Sequence, residues 1–284
     1  MSKLLSVFLA LTIGIGAMTV MAFNASAANP IDITEKFTDL NFRAAVYAQI
    51  GKTAPKPIYD TDAAEIGACF AIGESIRSIA GIEYLTSLMT LGISNTQITV
   101  LPDLPSTLTH FVCTDNQQLT ALPALPSGII ELICRNNPLL TALPALPSEL
   151  RYLDCRYNQL TALPELPSGL GELICSYNQI TALPRLPSEL RHLKCDNNQL
   201  TCIDATNSQK LVALRCWNNN MKQPCDVTGY TFRLYEPGEI LFGRNGVFYP
   251  QNGVGIYGTN AKWDGSFGHR ALYFLCFGWI WMWF

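Results

Sequence analysis

The sequence predicts an α/β-type solenoid: a horseshoe of short stacked coils with a parallel β-sheet on its concave face, an extended and irregular convex side, and a helical cap before the first coil. Three observations lead there. The motif Leu-Pro-x-Leu-Pro begins at Leu101, Leu122, Leu143, Leu163 and Leu183, in steps of 21, 21, 20 and 20 residues. Each copy is followed by an apolar spacing with a cysteine at one fixed place, cleanest in Leu150-x-x-Leu153-x-Cys155-x-x-Asn158-x-Leu160. An amphipathic stretch, "FTDLNFRAAVYAQIGK", precedes the first coil. A period of about 20 to 29 residues carrying Leu-x-x-Leu-x-Leu-x-x-Asn-x-Leu marks a leucine-rich repeat; here cysteine replaces the third leucine.

The chain begins with a segment of a different kind. Lys3 is followed by an apolar run from Leu4 to Phe23, and Ala25-Ser26-Ala27 fits a small-x-small cleavage site. Residues 1–27 are therefore expected to be a signal peptide cut after Ala27; the alternative is an uncleaved membrane anchor, because the apolar run is long. Cleavage would leave about 257 residues and move the formal charge from −3 to −4, since one lysine and no acid are removed. That mild acidity offers no basic footprint for nucleic acid.

Residues 66–221 hold about eight coils. Two copies match the Leu150 copy in spacing: Leu170, Leu173, Cys175, Asn178, Ile180, and Leu190, Leu193, Cys195, Asn198, Leu200. The copies starting at Leu108 (Cys113, Asn116) and Ile129 (Cys134, Asn137) carry one extra residue after the asparagine. Leu211, Leu214, Cys216, Asn219 and Met221 form the last copy. Upstream, Leu88, Leu91, Ile93, Thr96 and Ile98 fit with Thr in place of Asn, and Ile66, Cys69, Ala71, Glu74 and Ile76 fit less well.

Each part of the coil has a mechanical task. The stretch x-Leu-x-Cys-x reads as a short strand, so Leu153 and Cys155 point inward while Tyr152, Asp154 and Arg156 point out. The asparagine leaves the strand plane, and its buried amide pairs with backbone of its own and the adjacent coil. The prolines remove N–H donors and fix φ, which makes the convex side extended rather than helical. One coil cannot bury its apolar edge alone, and stacked copies can. The cysteines are expected to be reduced core residues. In-register side chains on parallel strands point the same way, whereas a disulfide needs converging Cβ vectors. A file of thiols is not a tetrahedral metal cage, and strand alternation separates His192 from Cys195.

The ends need covers. In the cap, residues 28–65, Thr38 or Asp39 can N-cap a helix with apolar positions Leu40, Ala44, Val46, Tyr47 and Ile50, and Gly51 is a natural C′ residue. Residues 222–284 read as a β-rich cap and a hydrophobic tail. Turns such as "EPGE" and "GRNG" separate two or three hairpin-like strands over the last coil. Cys202 and Cys225 are a candidate capping disulfide; reduced cysteines are the alternative. The final "ALYFLCFGWIWMWF" is too short to span a bilayer. An interfacial anchor, a strand buried in the cap and a truncated end all stay open.

The Leu-Pro-x-Leu-Pro-x-x-Leu pattern resembles the short leucine-rich repeats of secreted effectors from enteric bacteria. "NFRAAVYAQIGK" followed by "IAGIEYLTSL" resembles the helical cap and first repeats of internalin-like surface proteins of Gram-positive bacteria. The resemblance covers about Phe37 to Met221. It implies a curved bacterial binding scaffold, secreted or on the cell surface, and carries over no ligand.

The function expected is binding through the concave face. Its outward columns vary while the inward ones repeat, and they carry side chains that anchor interfaces. The candidates are Arg135, Tyr152, Arg156, Tyr157, Tyr177, His192, Lys194, Arg215 and Trp217. The partner is expected to be a protein or a glycan, with no nucleic acid, cofactor or metal. Membrane association would come only from the C-terminal tail or an uncleaved signal. The alternative is a structural surface spacer without a ligand. An enzyme is the least supported reading, because His110, His192 and His269 lack a nucleophile–base pair.

Overall fold

The computed structural model describes residues 29–216 and 218–220 in full, and the backbone of two further strands, Thr231–Glu236 and Glu239–Gly243. The chain divides into two compact units, Met1–Pro30 and Ile31–Phe284. The solenoid and its N-terminal helices lie in the second. The signal-peptide and tail expectations, Trp217 and Cys225 lie outside the described residues.

Eight parallel strands stack in chain order. They are β1 (Ala68–Ile72), β2 (Thr90–Ser94), β3 (His110–Thr114), β4 (Glu131–Ile133), β5 (Tyr152–Asp154), β6 (Glu172–Ile174), β7 (His192–Lys194) and β8 (Ala213–Arg215). Seven turns of chain join them. The register never slips: Leu91, Phe111, Leu132, Leu153, Leu173, Leu193 and Leu214 form one continuous column. After β8 the sheet continues antiparallel through β10 (Glu239–Gly243) to β9 (Thr231–Glu236). The convex segments bearing the Leu-Pro-x-Leu-Pro motifs contain no helix.

From β4 to β8 the strands hold three residues rather than the expected five. They stop before the cysteine, yet its N–H still reaches the next coil: Cys134, Cys155, Cys175 and Cys195 donate to Asp154, Ile174, Lys194 and Arg215 carbonyls at 2.7–2.8 Å. All six ladder thiols, at Cys113, Cys134, Cys155, Cys175, Cys195 and Cys216, are buried and unbridged. Burial pushes the Cys113 thiol up to about 12, and raises Cys134 and Cys155 well above the ordinary thiol value.

The asparagine column behaves as the turn chemistry requires. Asn158 Nδ2 donates to the carbonyls of Cys134 and Cys155, both at 2.8 Å, tying two coils together. Asn178 and Asn198 repeat that pair of bonds one and two coils on. The other amide atom explains the mixed repeat length. In the long coils the extra residue lets the backbone close its own turn, Leu119 N–H to Asn116 O and Leu140 N–H to Asn137 O. In the short coils the N–H of Leu160, Ile180 or Leu200 is instead taken by Oδ1 of the next coil's asparagine at 2.9–3.0 Å. Either way the buried donor that ends the turn is paired.

The N-terminal end is closed by helix α1 (Leu40–Gln49) and the short helix α2 (Asp60–Ala63). Asp39 caps α1: its Oδ1 accepts from Asn41 and Phe42 N–H groups. Its Oδ2 accepts from Arg77 and Ser78 N–H groups in the turn after β1, at 2.7 and 3.1 Å. One carboxylate thus starts the helix and fastens it to the first coil. Gly51 follows α1 at φ 64°, the left-handed C′ geometry. The buried stripe of α1 is Phe42, Val46 and Tyr47, which corrects the expected phase. Leu40 is 71% exposed, because it lies two residues, about 200° of rotation, from Phe42; Ala44 faces solvent too.

Candidate functional site

The sheet's outer face is built from four columns, each contributing one residue per coil. The column opening each strand reads His110, Glu131, Tyr152, Glu172, His192. Two residues on come Val112, Ile133, Asp154, Ile174 and Lys194. Beyond the cysteine lie Thr114, Arg135, Arg156, Ser176 and Asp196, followed by Asp115, Asn136, Tyr157, Tyr177, Asn197 and Asn218.

That last column is set by backbone conformation. Asn95, Asp115, Asn136, Tyr157, Tyr177, Asn197 and Asn218 all have φ between 53° and 60°. In an unbroken strand Tyr157 would share the inward side with Leu153 and Cys155. The left-handed residue swings its side chain outward instead, so Arg156 and Tyr157 both reach the face. Asparagine and aspartate tolerate this geometry because a short polar side chain bonds locally; a bulky residue there is an outlier. Towards the ends of the array the column bonds to itself. Asn136 Nδ2 donates to Asp115 Oδ1, and Asn218 Nδ2 to Asn197 Oδ1 at 2.6 Å. In the middle two tyrosines replace the amides. Their rings stack with centroids 4.4 Å apart and planes 18° from parallel. They remain 47% and 41% exposed. The pair therefore turns one face of each ring inward upon the other, rather than spreading both rings side by side.

Beside the tyrosines lies a buried acid. Strand alternation points Asp154 to solvent; the structure places it on the outer side of the sheet yet only 1% exposed. Arg156 Nη2 sits 3.0 Å from its Oδ2 and Arg135 Nη1 4.0 Å from the same atom. Burial pushes the Asp154 carboxyl above its ordinary range, against the pull of both guanidiniums. Arg156 Nε is itself buried and lacks a hydrogen-bond partner among the described residues. Two coils on, Asp196 is fully buried. Its Oδ1 accepts from Ser176 Oγ at 2.6 Å and lies 3.0 Å from Arg215 Nε. Ile133 and Ile174 are buried on the same outer face, because lateral neighbours about 4.8 Å away close over small and branched side chains.

The remaining candidates fall in the first two columns. Tyr152 is half-buried, and desolvation pushes its phenol up to about 12. His192 lies 3.7 Å from Glu172. Lys194 is half-buried next to Arg215. The structure thus gathers Arg135, Arg156, Tyr157 and Tyr177 into one strip. It leaves Tyr152 and His192 about 13 Å away along the strand, and places Lys194 and Arg215 over the later coils. Asp154 and Asp196 are the members that alternation alone misplaces. Their charge beside arginines set two residues off register, Arg135 and Arg156 for Asp154 and Arg215 for Asp196, is the signal that could have found them. Cys202 is an exposed free thiol. Among the described residues, no group of three His, Cys, Asp or Glu side chains is placed to hold a metal ion.

No protein-family model matches the chain, and no curated protein sequence matches it. Solved structures do. YopM, a leucine-rich effector of Yersinia pestis, superposes with a TM-score of 0.51 at 22% identity, over 66% of this chain and 59% of that one. This chain is a leucine-rich repeat solenoid. A functional domain of InlJ from Listeria monocytogenes that includes a cysteine ladder matches at 24% identity and TM-score 0.41, over 70% of this chain and 55% of that one. The internalin InlF of the same species matches at 19% and 0.49, over 70% and 68%. These are the effector and internalin groups that the repeat motif and the cap stretch resemble. The chain spans a little over half the length of YopM and of the InlJ domain.

Proposed function

We propose that this repeat protein is a secreted or cell-surface scaffold that binds a protein partner on its concave face, across β4 to β7. The observation that carries this is the Tyr157–Tyr177 pair. Two bulky aromatics occupy left-handed backbone positions that asparagine and aspartate fill elsewhere in the column. Each costs about 1–2 kcal/mol of backbone strain, and the rings stay open to solvent. Strain held at an exposed aromatic pair is the mark of a site kept for contact rather than for packing. Tyrosine also brings rigid contact area at low entropic cost. Solenoids supply the extended concave surface such contacts need. A glycan fits the pair less well, because each ring already gives one face to the other.

The test compares variants in capture from host-cell surface extracts. Wild-type chain and the convex control Glu165→Ala with Arg185→Ala should retain the same protein. Tyr157→Ala with Tyr177→Ala should lose it while keeping its circular dichroism. Retention by all three would move the site off the concave face.

A further inference from the structure

The strip beside the tyrosines carries more positive charge than it neutralises within itself. Arg135 and Arg156 share the single carboxylate of Asp154. That leaves one net positive charge, and each guanidinium has five N–H donors to place. Asp154 has little left to offer, since its Oδ1 also accepts the Arg156 backbone N–H at 3.3 Å. Because Asp154 is buried, an approaching molecule meets only the guanidiniums, whose side chains are about a third exposed. The pattern recurs further along, where Arg215 lies over buried Asp196 with Lys194 beside it. The exposed or half-buried acids of the face, Glu131 and Glu172, belong to the opening column with His110 and His192, about 13 Å along the strands. Asp115, at the β3 end of the strip, is hydrogen-bonded by Asn136, which orients its carboxylate without cancelling the charge; the positive excess is therefore local to Arg135 and Arg156 beside the tyrosines. The tyrosines add to the polarity, since aromatic ring edges are electropositive.

We propose that the partner presents an acidic, extended peptide segment, whose carboxylates seat on Arg135 and Arg156 beside the Tyr157–Tyr177 stack. The inference rests on the concave-face reading above and names the chemistry of its ligand. A carboxylate matches the guanidinium fork with two parallel hydrogen bonds. The buried Asp154 gathers both guanidiniums at one spot, with Arg156 Nη2 3.0 Å and Arg135 Nη1 4.0 Å from its Oδ2. The buried side chains of Ile133 and Ile174, which flank Asp154 in the column between the opening column and the arginines, give the segment an apolar floor on either side of that carboxylate.

The experiment selects random displayed peptides of about 12 residues on the immobilised full-length chain; extended, such peptides reach across most of the sheet. The retained peptides are expected to be rich in Asp and Glu. Their affinity should fall by at least about tenfold on an Arg135→Gln, Asp154→Asn, Arg156→Gln variant, which removes the charges without stranding a buried carboxylate. Arg135→Lys with Arg156→Lys, which keeps charge and loses the fork, should recover part of that loss. Circular dichroism of each variant controls for folding. Retained peptides that are neutral or basic, yet lost with Tyr157→Ala and Tyr177→Ala, would overturn the acidic ligand and leave concave-face docking standing. Acidic peptides indifferent to the arginine variants would also overturn it. If no peptide is retained, or if peptides bind every variant equally, both proposals fall.

Discussion

Tyr157 and Tyr177 stack across adjacent coils, ring centroids 4.4 Å apart, while both backbones hold the left-handed conformation at φ 57° and 56°. The stack recovers about 0.5–1.5 kcal/mol, against about 1–2 kcal/mol of strain at each residue. Stability is therefore not what the pair serves. Tyr157→Asn with Tyr177→Asn should leave the array at least as stable as wild type, with a gain of about 1 kcal/mol from the relieved strain, and should abolish partner binding. Chemical denaturation beside a binding assay checks both halves. A large loss of stability would show that the tyrosines are structural.

Asn158 makes three buried hydrogen bonds: two donated to the Cys134 and Cys155 carbonyls, and one accepted from Asn137 N–H at 2.8 Å. Asn158→Ala strands the Asn137 N–H, while the Cys134 and Cys155 carbonyls keep the Nδ2 groups of Asn137 and Asn178, and should cost about 1–3 kcal/mol. Gln159→Ala, at the exposed neighbouring position, should cost less than about 0.5 kcal/mol. Equal effects in urea denaturation would contradict the role of the asparagine column.

The thiols divide by access. Cys113, Cys134, Cys155, Cys175 and Cys195 are buried, and Cys202 is exposed. Since the thiolate is the reactive species, the burial that raises Cys113, Cys134, Cys155 and Cys175 also silences them. Brief alkylation of the native protein, followed by mass mapping, should label Cys202 and spare the ladder until denaturant is added. Labelling of Cys155 at the same rate as Cys202 would contradict the packed core.

Two aspartates should respond to pH with opposite sign. Burial opposes ionisation of Asp39, but four backbone N–H donors hold its carboxyl below the ordinary 3.8. Its contribution is present above that value and lost as pH falls through the lowered one. Asp154 is raised, chiefly by burial. Folding then favours its protonated form, so its contribution is fullest below 3.8 and declines as pH rises through the raised value. Relative to wild type, Asp39→Asn should lose more stability at neutral pH than near pH 3. Asp154→Asn should become relatively more stable as pH rises from about 4. Denaturation curves across that range check both, and matching trends for the two variants would contradict the assignment.

The repeating half of the molecule is legible in the sequence. Leu153, Cys155 and Asn158 recur because every coil from β2 to β8 buries the same three positions, so spacing alone places them. The strip beside them is harder to read. Tyr157 faces out through a left-handed residue, and that conformation follows from the column it belongs to rather than from alternation. Asp154 is covered by arginines two and about twenty residues away, so its burial depends on lateral neighbours that a single coil does not contain. In the cap, helix periodicity allows either Thr38 or Asp39 as the start. Asp39 takes the role because its second oxygen also reaches the turn after β1, a contact that periodicity does not reveal.

The most direct test of the central claim is an affinity titration of the captured partner, or of a selected peptide, against wild type and against Tyr157→Ala with Tyr177→Ala. If the concave strip is the site, the double variant should stay folded and bind more weakly by over about 2 kcal/mol, roughly thirtyfold. Equal affinity for the two proteins would contradict it.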